Sequence, residues 1–415
     1  MKRSFHPMQV NEFKRRHDSL TQAIRKAGLD HFVATTTDSI FYLTGATFEP
    51  LERPFFLIVG ADGSRRMLVP ALELDHMAKA WGVDAGSVLT YREFPAPTGQ
   101  GWTERLMETK LSSSRFAFDD VTPWAVARRL IDAGGSAHDL IGDLRLVKSD
   151  WEVSQIERAA RYADWGVNEI LRKAWNGASV AETYMATRAL QSKIIREVAD
   201  WDALATKIIA AAWPAPVSAE PHSVPRVTDR LRAGPHVAMV LTRVNGYAAE
   251  SERTFFTQVP RQRERELFRT MERAREIAFG MVRPGVECAA IDAAVNQFLD
   301  GAGFSNFQTR LHRCGHGFGL GNHEPPWVAE GSTHVLQPNM VISIEPGLYE
   351  QGVGGYRHSD TVLVTTDSYR CLTQAPHDIS SLTLARTTLR HRVNSWVVAK
   401  ALGLNEMSSK QVVPQ

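Results

Sequence analysis

Hydrophobic and polar positions in the first third of the chain alternate between helical and strand periods. Apolar residues recur at helical spacing over residues 10–28, and Gly28 supplies a helix end. Helical patterns also appear at residues 71–80 and 124–133. Short apolar runs bounded by turn residues predict strands at residues 31–34, 40–43, 55–59 and 66–69. We therefore expect a mixed or parallel sheet covered by helices.

A new helix begins at a capping box. The hydroxyl of Ser149 can accept a hydrogen bond from the amide of Glu152, whose carboxylate can accept one from the amide of Ser149. The helix is expected to continue to about residue 175 with one apolar face, and residues 382–398 show another helical pattern. The predicted domains are residues 1–147, residues 148–375 and a C-terminal extension, residues 376–415.

The second domain contains a weak internal repeat. Each half has a long helix, a turn marked by glycine, a second helix and strands that lead to a Gly-Tyr pair, Gly246-Tyr247 or Gly355-Tyr356. The predicted helices after the first one are residues 180–198, 262–281 and 289–301. Two such halves are expected to be related by pseudo-twofold symmetry, with their Gly-Tyr strands meeting at one central site.

Composition and charge exclude several classes of protein. The 415 residues include 48 Lys and Arg against 46 Asp and Glu, a net charge of +2 that does not suit a nucleic-acid binder. No run of about 18 uncharged apolar residues is present, and the basic start lacks the apolar region of a secretory signal. Three scattered cysteines do not make a disulfide framework. We expect a cytoplasmic, globular enzyme that binds neither nucleic acid nor membranes.

Residues 310–325 are dense in histidine and glycine. Glycine lets the backbone approach a ligand closely, and imidazole is a base or a metal ligand near neutral pH. His316 and His323 are therefore candidate site residues. His312 alone is more simply explained as a turn residue.

Three carboxylates and one further histidine complete the candidate chemistry. Glu345 ends an apolar run, where an unpaired carboxylate would be costly. Glu250 and Glu252 share one face of a predicted strand and repel each other unless they share a cation or a proton. His222 lies in the rigid segment Pro221-His-Ser-Val-Pro225, where by itself it would be a turn residue.

In combination, these segments resemble the pita-bread peptidases (peptidase M24), which include methionine aminopeptidases, Xaa-Pro aminopeptidases, prolidases and creatinase. The resemblance covers about residues 147–375, and the preceding segment is similar to the N-terminal domain of prolidase and creatinase. It implies an α/β N-terminal domain followed by an α+β pita-bread domain with internal pseudo-twofold symmetry. The motifs that carry it are Gly246-Tyr247-x-x-Glu250-x-x-Arg253-Thr254, Gly315-His316-Gly317-x-Gly319 with His323-Glu324-Pro325, Glu345-Pro346-Gly347, and Gly355-x-Arg357-x-x-Asp360.

The metal ligands of the family are only partly matched. The resemblance implies two metal ions bound by two Asp, one His and two Glu in the family's peptidases. The matching positions are Met239, Glu250, His316, Glu345 and Ser359. A thioether is soft and a neutral hydroxyl brings no charge, so neither replaces a carboxylate on a hard cation. We therefore expect no metal cofactor; a single ion, if one binds, would be held by Glu250, His316 and Glu345.

Creatinase, the member that works without metal, is closest in the pattern of site residues. Its catalytic histidine stands thirty residues before an active-site glutamate in Leu-Glu-Arg-Thr, and here His222 stands thirty residues before Glu252 in Ser-Glu-Arg-Thr. Its Phe-x-Arg-Pro motif, which reaches across the dimer, has a counterpart in Leu51-Glu-Arg-Pro54. Leu51 and the pair His358-Ser359 depart from the creatinase pattern, which argues against creatine as the substrate.

These features predict a metal-independent hydrolase that cleaves a C–N bond in a small guanidino, amidine or amide metabolite. His222 is expected to act as general base, and Glu252 and Glu345 to bind a cationic substrate group. The expected catalytic residues are His222, Glu252, His316, His323 and Glu345. The expected substrate-binding residues are Arg53, Tyr247 and Arg357, with Arg53 supplied by the neighbouring subunit of a homodimer.

Two alternatives remain open. One is a metal-dependent Xaa-Pro aminopeptidase or dipeptidase, which general membership of the family favours and the missing ligands disfavour. The other is a catalytically inactive pita-bread protein that binds a peptide or protein. Retention of the full histidine and glutamate set argues against this second alternative.

Overall fold

The structure is a computed structural model, and it describes residues 6–93, 95–109, 111–304 and 309–404. The chain divides into two compact units, Met1–Leu146 and Val147–Gln415, each with its own sheet. The division lies one residue before the expected boundary, and the described part of the expected C-terminal extension, residues 376–404, groups with the second unit.

The first unit is a mixed sheet covered by helices. Its helices are α1 (Pro7–Lys26), α2 (Thr37–Thr44), α3 (Leu74–Met77), α4 (Trp102–Met107), α5 (Trp124–Asp132) and α6 (Leu140–Leu146). Its strands are β1 (His31–Ala34), β2 (Phe56–Gly60), β3 (Arg65–Pro70), β4 (Val88–Tyr91), β5 (Phe116–Phe118) and β6 (Ser136–Ala137). The strand order is β4-β3-β2-β1-β5-β6, in which β1 is antiparallel to β2 and parallel to β5. This is the α/β arrangement that the alternating pattern predicts.

Residues 40–43, predicted as a strand, lie instead in helix α2. Thr36 caps the start of this helix by accepting a hydrogen bond from the amide of Ser39, and Gly45 ends it in the left-handed region at a φ of 66°. A four-residue apolar run fits a strand or a buried helix equally well. The two caps therefore decide in favour of the helix.

The second unit combines five helices and ten strands among its described residues. The helices are α7 (Asp150–Lys173), α8 (Val180–Glu197), α9 (Gln262–Met281), α10 (Cys288–Gly301) and α11 (Leu389–Ala401). The strands are β7 (Lys207–Trp213), β8 (His236–Val244), β9 (Tyr247–Phe255), β10 (Gly315–Gly317), β11 (Glu324–Val328), β12 (Val341–Ile344), β13 (Gly347–Glu350), β14 (Gly354–Arg357), β15 (Ser359–Val364) and β16 (Tyr369–Cys371). The helix predicted at 382–398 begins later than expected, at Leu389.

The large sheet of this unit joins the two halves of the sequence repeat. Its order is β11-β10-β12-β15-β9-β8-β7, with β16 beside β15, while β13 and β14 pair separately. Helices α7 and α8 with β7–β9 form one half, and α9 and α10 with β10–β12 and β15 form the other. The halves meet where β9 pairs antiparallel with β15, Glu252 opposite Ser359. Outward from this junction each half runs from its last strand to its first, β9-β8-β7 on one side and β15-β12-β10 on the other, which is the order that the predicted pseudo-twofold arrangement requires.

Two capping boxes start the helices that support the first half. Ser149 and Glu152 exchange side-chain-to-amide hydrogen bonds at the start of α7, as the sequence predicts, and Ser179 and Glu182 do the same at α8. Helix α7 packs against β8 and β9, and α8 packs against β7. Within the described residues, no helix is long and apolar enough to cross a membrane.

Candidate functional site

A cavity of about 390 Å³ lies in the second unit, where the two halves of the repeat meet. It is lined by every residue predicted to be catalytic: His222, Glu252, His316, His323 and Glu345. Glu250 and Arg357 line it as well. The sequence patterns that looked separate along the chain therefore converge on one place.

Strand geometry positions the carboxylates. Glu250 and Glu252 lie two residues apart on β9, so their side chains emerge on the same face. Glu345 directly follows β12 at the end of its apolar run. All three side chains are buried, and a buried carboxylate requires a counter-charge, a proton or a cation.

Close backbone packing positions the histidines. His316 lies on β10 between two glycines; a Cβ at Gly315 would lie 2.1 Å from the carbonyl oxygen of Ser343, and one at Gly317 would lie 2.3 Å from that of Pro325. Glycine is therefore required for β10 to fit between its neighbours. His323 follows in a loop held by Glu324, whose carboxylate accepts a hydrogen bond from the amide of Gly321 at 3.0 Å.

Three of these side chains place ligand-type atoms close together, and a fourth, Glu345, contacts one of the three. One such atom from each of Glu250, His316 and His323 lies within 4.8 Å of the other two. The Nε2 atom of His316 is 3.9 Å from Oε1 of Glu250 and 3.0 Å from Oε1 of Glu345. Imidazole nitrogens and carboxylate oxygens are ligands that suit zinc, manganese, iron or cobalt.

The orientation of His316 favours a cation at this point. Its Nδ1 faces the carbonyl oxygen of Gly317 at 3.2 Å and must donate to it, which leaves Nε2 as the acceptor in the neutral ring. Nε2 is buried and lies 3.0 Å from Oε1 of Glu345. A proton on Nε2 pairs the two side chains, and a divalent ion in place of that proton would be bound by both. The residues present therefore fit one metal ion.

The pKa shifts of the clustered residues also indicate that the carboxylates require a positive charge beside them. Burial and the Glu345 carboxylate raise the pKa of Glu250 to about 8. Burial alone would lower the pKa of His316, but Glu345 and Glu250 outweigh it and raise this pKa. Burial would raise the pKa of Glu345, but His316 outweighs it and holds this pKa well below its ordinary value. Without an ion, protons on Glu250 and His316 supply the charge that a divalent cation would bring.

Glu252 belongs to a second network beside the donor cluster. It is paired with the Nε of Arg357, whose Nη1 donates to the hydroxyl of Tyr349 at 3.2 Å. That hydroxyl lies 2.7 Å from Nε2 of His312, and His312 donates through Nδ1 to the carbonyl of Arg313 at 2.8 Å. The network fixes Arg357 and His312 on the cavity wall and neutralises Glu252.

The two positions without a family ligand also face this region. Met239 lines the cavity on β8, directly across the strand pair from Glu252. Ser359 donates its hydroxyl hydrogen bond to Oε1 of Glu250. Neither supplies an anionic ligand, so the donor set is sufficient for one ion and incomplete for two.

Two of the expected substrate-binding residues lie elsewhere. Tyr247 is buried, donates its hydroxyl hydrogen bond to Glu152 at 3.2 Å and meets the ring of Trp151 edge-on; it does not line the cavity. Arg53 belongs to the first unit, where it pairs with Glu52 at 3.3 Å. A role for Arg53 in substrate binding stays a prediction.

The cavity also contains residues that sequence analysis missed. His312, taken as a turn residue, lines the wall together with Arg313 and Trp213. The four-residue spacing between His312 and His316 was an available signal, because even spacing in an extended chain puts side chains on one face. Nothing in the local sequence pointed to Arg313 or Trp213.

Comparison with known proteins identifies the family. Residues 154–366 match the metallopeptidase family M24, and residues 16–147 match the creatinase/prolidase N-terminal domain. The chain belongs to family M24. Membership confirms the expected fold class and the prediction of a hydrolase that acts on C–N bonds.

Relatives within family M24 are dipeptidases. The chain is 30% identical to the probable dipeptidase PepE of Mycobacterium tuberculosis over 88% of its own length and 96% of that protein. It is 26% identical to the Xaa-Pro dipeptidase of Lactobacillus delbrueckii subsp. lactis over 88% and 98% of the two chains. The crystal structure of dipeptidase PepE from Mycobacterium ulcerans superposes with a TM-score of 0.76, at 26% identity over 89% and 98%.

The metal-independent, creatinase-like interpretation is wrong. The family is one of metallopeptidases, its relatives here carry dipeptidase names, and the cavity holds a donor group suited to a metal. The assignment of His222 as general base of a metabolite hydrolase is withdrawn with it. The expectation of no cofactor is also wrong: the family is one of metallopeptidases, and without acids at Met239 and Ser359 the chain still brings together Glu250, His316 and His323, a group that could hold a metal ion.

Proposed function

We propose that the chain is a metal-dependent peptidase that hydrolyses dipeptides, including those with proline in second place. The observation that carries this proposal is the convergence of Glu250, His316 and His323 within 4.8 Å in one cavity. The dipeptidase and Xaa-Pro dipeptidase relatives support the substrate class.

We propose one divalent ion per chain, held by Glu250, His316, His323 and Glu345. Ligand atoms of Glu250, His316 and His323 lie within 4.8 Å of one another, and Glu345 contacts His316 at 3.0 Å. Met239 and Ser359 leave a second ion without carboxylates. When bound, the ion would supply Lewis-acid polarisation of the peptide carbonyl.

The remaining wall residues fit a small peptide. Trp213, Pro221 and Leu241 form an apolar part of the wall suited to a side chain or a pyrrolidine ring. Arg357 is already fixed by Glu252 and Tyr349, so its guanidinium is preorganised beside the substrate. A volume of about 390 Å³ suits a dipeptide better than a protein chain.

The proposal is tested by metal content and peptidase activity. Purified protein dialysed against manganese, cobalt or zinc is expected to retain about one ion per chain by mass spectrometry and to hydrolyse Ala-Pro. Chelation should abolish hydrolysis, and the same metal should restore it.

Matched histidine variants make the assignment specific. His323→Ala should lower metal affinity by more than the about 10- to 100-fold that is typical when a residue supporting a ligand is lost, whereas His334→Ala, outside the cavity, should leave it unchanged. Full hydrolysis of Ala-Pro by protein that contains no metal would refute the proposal. The homodimer and the cytoplasmic location remain predictions for sedimentation and fractionation.

A further inference from the structure

Arg313 is a cation on the cavity wall for which the described residues supply no acidic partner. It lines the cavity, and its Nε is buried without a hydrogen-bond partner among the described residues. Arg357, the other guanidinium of the wall, is already paired with Glu252. An unpaired guanidinium beside a substrate cavity is available for an anionic group of the substrate.

The guanidinium of Arg313 is held in a fixed orientation. Its Cζ lies 4.4 Å from the centroid of the Trp327 ring. Arg313 directly precedes the segment that leads into β10, and Trp327 lies on β11, which pairs with β10. Stacking on a ring whose own position is set by the sheet reduces the conformational entropy lost on binding a planar carboxylate.

The cavity contains both negative and positive groups. Glu250, Glu252 and Glu345 supply negative charge around the metal-ligand cluster. Arg313 lines the same cavity and stacks on Trp327. A substrate with an amine at one end and a carboxylate at the other matches this arrangement.

We propose that Arg313, stacked on Trp327, binds a carboxylate of the substrate and thereby sets substrate selection. This inference rests on the proposed peptidase function. The carboxylate is either the C-terminus of a dipeptide or an acidic side chain, and both would be bound by the same paired N–H groups.

Three peptides separate these sources: Ala-Pro, Ala-Pro-amide and Glu-Pro-amide. In the metal-loaded wild type, a C-terminal carboxylate at Arg313 makes Ala-Pro a better substrate than its amide. Arg313→Gln should then lower kcat/KM for Ala-Pro about 10- to 100-fold, mainly through KM, and change the value for Ala-Pro-amide less than about threefold. A side-chain carboxylate instead makes Glu-Pro-amide better than Ala-Pro-amide, a preference that the variant loses.

Two further variants control for structure. Arg313→Lys keeps the charge without the planar fork and should show an intermediate loss. Arg310→Gln removes a nearby arginine that pairs with Asp300 and does not line the cavity, so it should keep the wild-type ratios. Equal ratios in wild type and Arg313→Gln for all three peptides would overturn the inference and leave the peptidase function standing.

A binding measurement decides the matter if the wild type cleaves none of these peptides. Calorimetry on the metal-loaded full chain would measure binding of the reduced isosteres of Ala-Pro and Glu-Pro-amide, which have no scissile carbonyl. The affinity of each would be compared with that of the reduced Ala-Pro-amide. If the wild type binds either carboxylate ligand more tightly than the reduced Ala-Pro-amide, and Arg313→Gln binds that carboxylate ligand at least about tenfold more weakly, the inference is supported. It then holds although the peptidase proposal has failed. Equal binding by both proteins, or no binding, refutes it.

Discussion

Glu250 accepts a hydrogen bond from Ser359, and Met239 stands opposite Glu252 on the neighbouring strand. The resemblance implies that the family has Asp at the positions of Met239 and Glu250 and Glu at the position of Ser359. The sequence shows that two acids are missing. It does not show that His323 turns towards Glu250 and His316, because that depends on the loop between β10 and β11.

Substitutions at the same residues should convert the proposed single-ion site into a site for two ions. The triple change Met239→Asp, Glu250→Asp and Ser359→Glu restores the family's acids at the three positions and should raise the metal content from about one ion per chain to two. The physical reason is that two anionic ligands return to a site that now has a thioether and a hydroxyl. Metal titration by calorimetry measures the stoichiometry.

The double change Glu250→Asp and Ser359→Glu, which keeps Met239, is the matched control. It should stay close to one ion, since one carboxylate of the second set is still absent. A wild-type stoichiometry of two ions would contradict the argument from Met239 and Ser359.

At the scale of elements, Asp360 ties β9, β15 and α9 together. Its carboxylate is paired with Arg253 of β9 at 2.6 Å and with Arg275 of α9 at 2.6 Å. Burial alone would raise the pKa of Asp360, but Arg253 and Arg275 outweigh it and hold this pKa well below its ordinary value. The pair of bonds fixes the strand that follows Arg357 and so supports the cavity.

The stability that Asp360 contributes should depend on pH. Its folded-state pKa lies below the unfolded value of about 3.9, so the contribution is complete above about pH 5 and is lost as the pH falls towards the folded pKa. Asp360→Asn should lower the free energy of unfolding by about 3–5 kcal/mol at pH 7, because it leaves two buried guanidinium groups short of a counter-charge.

Urea unfolding at pH 7 and at about pH 3 measures this effect. The difference between wild type and Asp360→Asn should shrink at the lower pH. Asp367→Asn, at an exposed residue that only accepts a hydrogen bond from Thr365, serves as control and should match the wild type. A difference that is the same at both pH values would rule out the ion pair as its cause.

Element boundaries show where local sequence is sufficient. The capping box at Ser149 and the helix 262–281 are found as predicted, because capping and a long apolar stripe are local properties. Residues 40–43 form part of α2 rather than a strand, since four apolar residues do not distinguish the two periods.

At the scale of the whole molecule, the proposed ligands come from both halves of the repeat. Glu250 lies on β9 of the first half, whereas His316, His323 and Glu345 belong to the second half, on or beside β10–β12. An ion bound by all four would favour the native state by mass action. It should therefore stabilise the sheet of the second unit across the junction of the halves.

Hydrogen exchange followed by mass spectrometry tests this coupling. Adding manganese to chelated protein should slow amide exchange in peptides from both β9 and β10–β12. Peptides from β1 and β2 of the first unit serve as internal reference and should not change. Slowing confined to β10–β12 would contradict a role for Glu250 as ligand.

The sequence by itself determined the two-part architecture, the repeat and the five predicted catalytic residues, all of which line the cavity. These follow from periodicity, caps and ordered motifs, which are properties of short segments. The tertiary structure alone decided what the set can hold. Whether His323 joins Glu250 and His316, and whether Arg313 stacks on Trp327, depends on distances between segments that the sequence does not set. Metal binding and charge pairing vary steeply with such distances, and no residue pattern encodes them.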